Sequence, residues 1–383
     1  MFSGYGIIIS KEVGRNIMVN FIHTADLHLG LEFKSVNFDR HKANERRIEL
    51  WNTFERIVRK AAEDEMDFLL IAGDLFEEEY FTFKDINRVK DTLFKANTVN
   101  IVVVAGNHDP LNRKSLYRVV DWPENVTILG PGVLEKKEFP EKNTVIYGYS
   151  WDKGEVNEDI FRHFDGLDES KINILLIHGD VLNRESKYLP LDKNFLLQLG
   201  FDYIALGHIH KPVIFSEKMA YCGSPEPLDF GETGEHGIIQ GSITSKGTNI
   251  DFVPFSKRIF VEKTIELNET MGYMDIISKI QGCDDEKNKS KNLYKLTLRG
   301  IIDPSVELNI KDMEQSLKDD FYYLEIVDDT TVDYDLDALA RENKDNIIGY
   351  FIEEMKKKDL KDKVNRQALY IGLEALLKGK VGL

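Results

Sequence analysis

The sequence predicts an α/β fold in which helices cover sheets, and three observations carry that prediction. Continuous apolar runs of strand length alternate with amphipathic helical stretches, the pattern of strands buried on both faces. Five of those runs end in loops that hold His, Asp or Asn. The chain, at 383 residues, is also long enough for two to three domains with separate cores, taking ~150 residues per domain.

Taken in order, residues 1–18 are expected to be a loose extension, because they lack the basic start and long apolar core of a signal peptide. Residues 19–24 are apolar and β-branched enough for a buried strand, which stops at Ala25-Asp26-Leu27-His28-Leu29-Gly30. A long helix is expected over 39–65, with Ile48, Trp51, Ile57, Val58 and Ala61 on one stripe. Residues 68–72 form the next strand and end in Gly73-Asp74. A helix over 84–95, carrying Ile86, Val89 and Leu93, leads to a strand over 101–104 and the loop Ala105-Gly106-Asn107-His108-Asp109. Residues 126–129 and 144–147 are shorter strand candidates. The strand over 172–177 runs into His178-Gly179-Asp180, and that over 203–206 into Gly207-His208-Ile209-His210. In sheets covered by helices, ligands gather at the carboxyl ends of strands, so the five clusters are expected to converge.

From 237 to 254 the pattern is an antiparallel pair around a turn at 244–247, which closes a first domain spanning 19–256. A β-α-β-α-β set follows over 257–332, with strands at 259–267, 293–299 and 322–327 and helices at 275–280 and 311–317. Residues 281–292, rich in Asp, Lys, Asn and Ser, are expected to be a solvated loop. The last segment, 333–383, reads as two helices over 337–358 and 361–378.

Composition excludes several classes. The formal net charge is −16, which rules out a globally basic coat for nucleic acid but not a local basic groove or bound divalent cations. Cys222 and Cys283 are the only cysteines, far apart and outside any C-x-x-C, so neither a disulfide scaffold nor a thiolate zinc site can be built. A reducing cytosol is the expected location, and Cys222 is read as a small buried apolar residue. No apolar run approaches the ~18 residues of a spanning helix, so no membrane segment is expected.

Divalent cations such as Mn²⁺, Fe²⁺ or Zn²⁺ accept mixed imidazole and carboxylate ligands, and Asn adds a neutral oxygen. Asp26, His28, Asp74, Asn107, His178, His208 and His210 supply that mixture. Seven donors oversupply one ion, but with a shared carboxylate they suit two ions ~3.5–4 Å apart, the arrangement that clamps the attacking and leaving oxygens of a phosphoryl centre. His108 is left free to face substrate as donor to the phosphate or leaving oxygen. Asp109 is expected to orient its ring as the second member of a catalytic dyad.

Asp26-x-His28, Gly73-Asp74, Gly106-Asn107-His108-Asp109, His178-Gly179 and Gly207-His208-x-His210, in this order, resemble the calcineurin-like metallophosphoesterase superfamily. More narrowly, Thr24-Ala25-Asp26-Leu27-His28-Leu29-Gly30, Gly73-Asp74-Leu75-Phe76 and Cys222-Gly223-Ser224-Pro225-Glu226 are similar to the SbcD and YhaO branch of DNA repair nucleases. The resemblance implies a four-layer αββα sandwich of two mixed sheets, a capping domain over 257–332, and C-terminal helices that dock on an SMC-like ABC-type ATPase. It implies two Mn²⁺, one held by Asp26, His28, Asp74 and His210, the other by Asp74, Asn107, His178 and His208. It further implies in-line cleavage of DNA phosphodiesters in double-strand-break repair, with His108 giving the proton or stabilising charge, and a homodimer.

One departure stands out. Nucleases of this kind often carry a His after Gly-Asp-Leu-Phe, where this chain has Glu77 followed by Glu78 and Glu79, a run that would repel phosphate or simply form a solvated loop face. Cleavage polarity, the preferred DNA end and the DNA-contacting residues stay open, with Arg113 and Lys114 as the candidates nearest the site loop. Of the remaining histidines, His23 is expected in the core, and His41, His163 and His236 in solvent. The metal motifs alone also admit a small-molecule phosphodiesterase or phosphatase, and a non-catalytic DNA-end-binding subunit is the rival of another class.

Overall fold

The computed structural model describes residues 18–378 apart from Ser35, Glu158, Pro304, Asp333 and Lys361, so the expected N-terminal extension, save Met18, lies outside the described residues. The chain divides into two compact units, Met1–Ile259 and Phe260–Leu383.

In the first unit the elements are β1 (Val19–Thr24), α1 (Arg40–Glu63), β2 (Phe68–Ala72), α2 (Phe83–Phe94), β3 (Asn100–Val104), β4 (Val126–Ile128), β5 (Glu135–Phe139), β6 (Thr144–Tyr149), β7 (Ile172–His178), α3 (Lys193–Gln198), β8 (Tyr203–Gly207), β9 (Val213–Ser216), β10 (Met219–Tyr221), β11 (Gly237–Thr244) and β12 (Gly247–Pro254). They build two six-stranded mixed sheets, in the orders β12-β11-β1-β2-β3-β4 and β5-β6-β7-β8-β10-β9. β1 through β4 run parallel, as do β6, β7, β8 and β10. The outer strands β11, β12, β5 and β9 pair antiparallel.

The alternation of side chains along each strand explains the layers. Phe68, Leu70, Val102 and Val104 of the first sheet meet Ile146, Ile174, Leu176 and Ala205 of the second in one core between the sheets. Leu69, Ile71, Ile101 and Val103 face the other way, against Leu50, Phe54, Ile57 and Val58 of α1 and Ile86, Val89 and Leu93 of α2. Leu175, Ile177 and Leu206 do the same on the far side, with Leu196 of α3. Helices over one sheet, a second sheet and then α3 give two mixed sheets flanked by helices, the expected class. Cys222 lies in the core between the sheets, as expected.

Helix α1 starts where Asp39 accepts from the Lys42 N–H at 2.7 Å, and α2 where Thr82 and Asp85 form a capping box. Ile48, expected on the buried stripe of α1, is 50% exposed. At ~100° per residue it sits about 120° from the centre of the stripe formed by Leu50, Trp51, Phe54, Ile57, Val58 and Ala61. β5, unread in the sequence, is an edge strand whose Glu135, Lys136, Lys137 and Glu138 are exposed, the charged edge that deters pairing with other chains.

The second unit holds β13 (Phe260–Leu267), α4 (Tyr273–Gln281), α5 (Glu286–Lys291), β14 (Leu293–Ile302), α6 (Ile310–Ser316), β15 (Tyr323–Val332), α7 (Leu336–Glu342), α8 (Ile347–Lys356) and α9 (Lys363–Lys378). β13, β14 and β15 form one parallel sheet. The stretch expected as a solvated loop contains the short helix α5, because Asp285 caps it by accepting from Asn288 N–H at 2.7 Å and Lys289 buries its stem beside Phe321. The first expected tail helix is instead two. Asn346 accepts from the Ile348 and Gly349 N–H groups and starts a new helix after α7 ends at Glu342. Among the described residues no helix is long and apolar enough to cross a membrane.

Candidate metal centre

The site is built where β1, β2 and β3 of one sheet and β7 and β8 of the other run out together. Asp26 N–H donates to Gly73 O and His28 N–H to Asp74 O, each at 3.0 Å, which ties the first two loops side by side. Glycine permits the two sheets to close at this end. A Cβ at Gly207 would lie 1.9 Å from Ala72 O, one at Gly106 2.2 Å from Asp74 Oδ1, and one at Gly73 2.4 Å from His178 Nδ1. The loops turn sharply, so Asp26, His28, Asp74 and His208 have φ of +52°, +45°, +49° and +103°. Such backbone costs on the order of 1–3 kcal/mol per residue and concentrates at functional sites.

The structure brings all seven expected donors together at this end of the two sheets. Ligand atoms of Asp26, His28 and His210 lie within 4.8 Å of one another, as do those of Asp26, Asp74 and His178. Asn107 Oδ1 is 3.0 Å from His178 Nε2. His208 lies at the margin, its ring 5.2 Å from that of His178 and its N–H donating to both Asp26 carboxylate oxygens at 3.0 and 3.1 Å. Asp74 sits between the groups, with Oδ2 3.4 Å from His178 Nε2 and 3.7 Å from His28 Nε2, while Oδ1 accepts from His108 N–H at 2.9 Å.

This donor set fits divalent cations. His178 Nδ1 donates to Ala72 O at 2.9 Å, which leaves its Nε2 lone pair toward Asn107 and Asp74. His28 and His210 confront each other through Nε2 atoms 3.1 Å apart, and each has its Nδ1 held at 2.6 Å by a carboxylate, Glu77 for His28 and Glu232 for His210. A carboxylate behind an imidazole fixes the tautomer and turns the other nitrogen to a metal. Lone pairs and carboxylates facing one another away from water require positive charge among them.

The protonation equilibria express the same demand. Burial works against a charged His178, yet Asp74 and Asp26 outweigh it and push its pKa up to about 9. His210 is likewise pushed up to about 9, burial being overcome by Glu232 and Asp26. Asp74 is opposed by burial but held well below the usual carboxylate range by His178 and His28. Burial and the neighbouring His178 take His208 down to about 4.

The dyad expected for His108 is not formed with Asp109. Asp109 is fully buried, with Oδ1 accepting from Gly106 N–H at 2.6 Å and Oδ2 from Leu75 N–H at 2.7 Å and the Tyr117 hydroxyl at 2.6 Å. Its carboxylate turns inward to brace the loops, and burial together with Asp74 lifts its pKa to about 6. His108 instead pairs through Nδ1 with Glu77 Oε2 at 2.9 Å. Glu77 is therefore neither a solvated loop face nor open to repel phosphate; it is buried, and its pairing with His108 and His28 overcomes desolvation and takes it down to about 2. Its only mark in the sequence is its place after Gly73-Asp74-Leu75-Phe76.

Glu232 left no signal in the sequence at all. It also accepts from the Ser224 hydroxyl and the Leu228 N–H. His236, expected in solvent, is buried behind it and bridges Ser224 O and Glu232 O at 2.9 and 3.0 Å. His41 and His163 are exposed, and His23 is buried against the Tyr203 hydroxyl at 2.9 Å, as read from the sequence. Tyr188 was also unread; its ring lies 5.0 Å from that of His208. Arg113 and Lys114 are exposed in the segment after the His108 loop.

Comparison with known proteins agrees with this geometry. A family model described as calcineurin-like phosphoesterase matches residues 19–212, a span that contains all seven donors and His108. The uncharacterized metallophosphoesterase YhaO of Bacillus subtilis is 26% identical over 305 residues, covering 74% of this chain and 72% of that protein. The DNA double-strand break repair protein Mre11 of Methanocaldococcus jannaschii is 26% identical over 300 residues, covering 70% and 74% respectively. Mre11 of Methanopyrus kandleri is 30% identical over 248 residues, covering 55% and 49%. With more than half of the chain matched, and with five strand ends bringing carboxylate, imidazole and amide donors together, the chain belongs to the calcineurin-like phosphoesterase family.

Proposed function

We propose that the protein is a manganese-dependent DNA nuclease of double-strand-break repair that hydrolyses phosphodiesters. The observation that carries this reading is the convergence of the seven donors beside His108, whose ring is partly exposed while its Nδ1 is engaged. Asp26, His28, Asp74 and His210 would hold one cation and Asp74, Asn107, His178 and His208 the other. Two such ions, when bound, supply Lewis acidity and charge neutralisation at a phosphoryl group. The chain's own part is positional. Glu77 and Glu232 keep Nε2 of His28 and His210 turned inward, and Ala72 O does the same for His178. His108 presents Nε2 to the oxygen that leaves phosphorus and gives it a proton, with Asp74 Oδ1 fixing its backbone.

The names of the Mre11 relatives support DNA as the substrate and double-strand-break repair as the setting. The two free cysteines support a cytosolic location. The C-terminal helices carry exposed Ile347, Tyr350, Val364 and Ile371 outside the cluster of Ile352, Leu369 and Leu373, which supports docking on an SMC-like ABC-type ATPase. Exposed Phe83 and Phe94 at the two ends of α2 support a homodimer.

End-labelled single- and double-stranded DNA, incubated with Mn²⁺, Mg²⁺ or EDTA, tests the assignment. Manganese-dependent degradation is expected in the wild type and loss of at least ~100-fold in Asp74→Ala and His108→Ala, the range of general-acid contributions. Undiminished cleavage by Asp74→Ala would overturn the reading. Turnover of a chromogenic phosphodiester alone would replace DNA with a small-molecule substrate.

A further inference from the structure

His23 and Tyr203 meet in the gap between the two sheets, and no step of the proposed hydrolysis uses either. His23 lies on β1, three residues before Asp26, and Tyr203 lies on β8, five residues before His208. Both are fully buried. Tyr203 belongs to the apolar core that also holds Phe21, Ala25, Ala205 and Cys222, and its hydroxyl is 2.9 Å from His23 Nδ1. Its ring packs 4.5 Å from that of Phe21 and stands edge-on to that of His23 at 5.8 Å. Burial pushes the Tyr203 hydroxyl well above its ordinary pKa and takes His23 down to about 3. The hydroxyl therefore keeps its proton and donates to a neutral ring, and Nε2 of His23 is left without a partner. Two apolar side chains of the same size would fill this gap without that penalty, so packing does not account for the bond.

The same two strands meet again toward the site. His208 N–H donates to both Asp26 carboxylate oxygens, and Nε2 of His28 lies 3.1 Å from Nε2 of His210. Between these contacts and the buried pair, a Cβ at Gly207 would come within 3.0 Å of Ala25 Cβ. Stacked sheets ordinarily lie ~10 Å apart, a distance that an imidazole and a phenol meeting end to end can span. The sheets thus converge from His23 and Tyr203 to the donors, and β1 and β8 are the strands along which they do so.

We propose that His23 and Tyr203 form a positioning clasp that fixes β1 against β8 and thereby sets the separation of Asp26 and His28 from His208 and His210. The inference rests on the reading of these donors as ligands of two cations and specifies what holds them apart. Asp26, His28 and His210 of the first ligand set follow β1 and β8, whereas Asp74, Asn107 and His178 of the second follow β2, β3 and β7. Loss of the clasp therefore falls unequally on the two ions.

Titration calorimetry and electron paramagnetic resonance of the full chain with Mn²⁺ test this. The wild type is expected to bind two ions and to show the spectrum of an exchange-coupled pair. Tyr203→Phe removes one oxygen and leaves the ring. It is expected to weaken one ion about 10-fold and the other by less than about threefold, against the 10–100-fold usual for a partner directly behind a ligand. The coupled spectrum should then give way to that of an isolated ion when Mn²⁺ is limiting. His23→Phe, which fills the gap and cannot accept, is expected to match Tyr203→Phe, and the double variant to be no weaker than either, because all three lack the same bond. His23→Asn, whose Oδ1 can accept in place of Nδ1, should bind both ions as the wild type does.

Wild-type affinities and spectrum in Tyr203→Phe, with only the thermal midpoint lowered, would reduce the pair to core packing and overturn the proposal, as would equal weakening of both ions. Should His23→Phe not fold, Tyr203→Phe and His23→Asn decide. Two-ion binding by a wild type that cleaves no DNA would overturn the nuclease reading and leave this test standing. A wild type that binds fewer than two ions would overturn the clasp together with the ligand sets it serves.

Discussion

Asp109 and Glu77 show how much depends on where a carboxylate points. Adjacent in sequence to His108, Asp109 reads as its partner, yet its oxygens accept from Gly106 N–H, Leu75 N–H and the Tyr117 hydroxyl. The Asp109→Ala variant would strand three buried donors, each costing about 1–3 kcal/mol. Its thermal midpoint is expected to fall by at least about 6 °C, taking ~2–4 °C per kcal/mol for a unit of this size. The His108→Ala variant, which removes a partly exposed ring, should keep the wild-type midpoint and lose turnover. Scanning calorimetry of the two variants beside their kinetics checks this, and an Asp109→Ala protein of unchanged midpoint would restore the dyad. The donors themselves were legible because each stands at a strand end with a Gly or a second donor beside it. Their partners were not: Glu232 is 22 residues from His210 and Glu77 is 49 from His28, and only the folded chain brings them to hydrogen-bonding distance.

At the scale of elements, period decides what can be read. The strands buried on both faces and the helices over them announce themselves as apolar runs and 3.6-residue stripes, and β1, β2, β3, β7 and β8 stand within a residue of expectation at each end. The edge strands β5 and β9 have no such signal, since one face and one edge of each meet water. Nor does the charge network that anchors α1. Arg46 is fully buried, and its guanidinium donates to Glu49, to Glu226 Oε2 at 3.4 Å and to Pro227 O at 3.0 Å. Glu226 in turn accepts from the Thr53 hydroxyl at 2.7 Å and from Lys257 N–H at 2.6 Å. The helix is thereby fixed to the loop after β10 and to the chain leaving β12. Breaking a buried pair by removing one partner leaves the other charge uncompensated, so Arg46→Met is expected to cost about 3–5 kcal/mol in urea unfolding. Adding Glu226→Gln should return part of that loss. A double variant less stable than Arg46→Met would show that Glu226 is held by its other partners and not by Arg46.

At the scale of the whole molecule, every group that builds the metal centre belongs to the first unit. Among the described residues, the apolar clusters around its two sheets draw on residues up to Phe255, and the cluster around β13, β14 and β15 begins at Val261. Lys257 N–H to Glu226 and Arg258 Nε to Glu49 at 2.8 Å tie the end of the first unit to the loop after β10 and to α1. A unit with about 240 described residues buries enough surface for independent stability. A chain ending at Ile259 is therefore expected to fold cooperatively, to bind Mn²⁺ as the full chain does, and to turn over a small phosphodiester within about twofold of the full-length rate. The helices α7, α8 and α9 take no part in the ligand set, so their loss should leave that turnover in place and should remove binding to the ATPase partner proposed for them. Calorimetry, metal titration and ester kinetics on the two lengths make the comparison. A shortened protein that folds and binds metal but fails on the small ester would show that the second unit completes the active site, because neither the ligand geometry nor the acid would then be at fault.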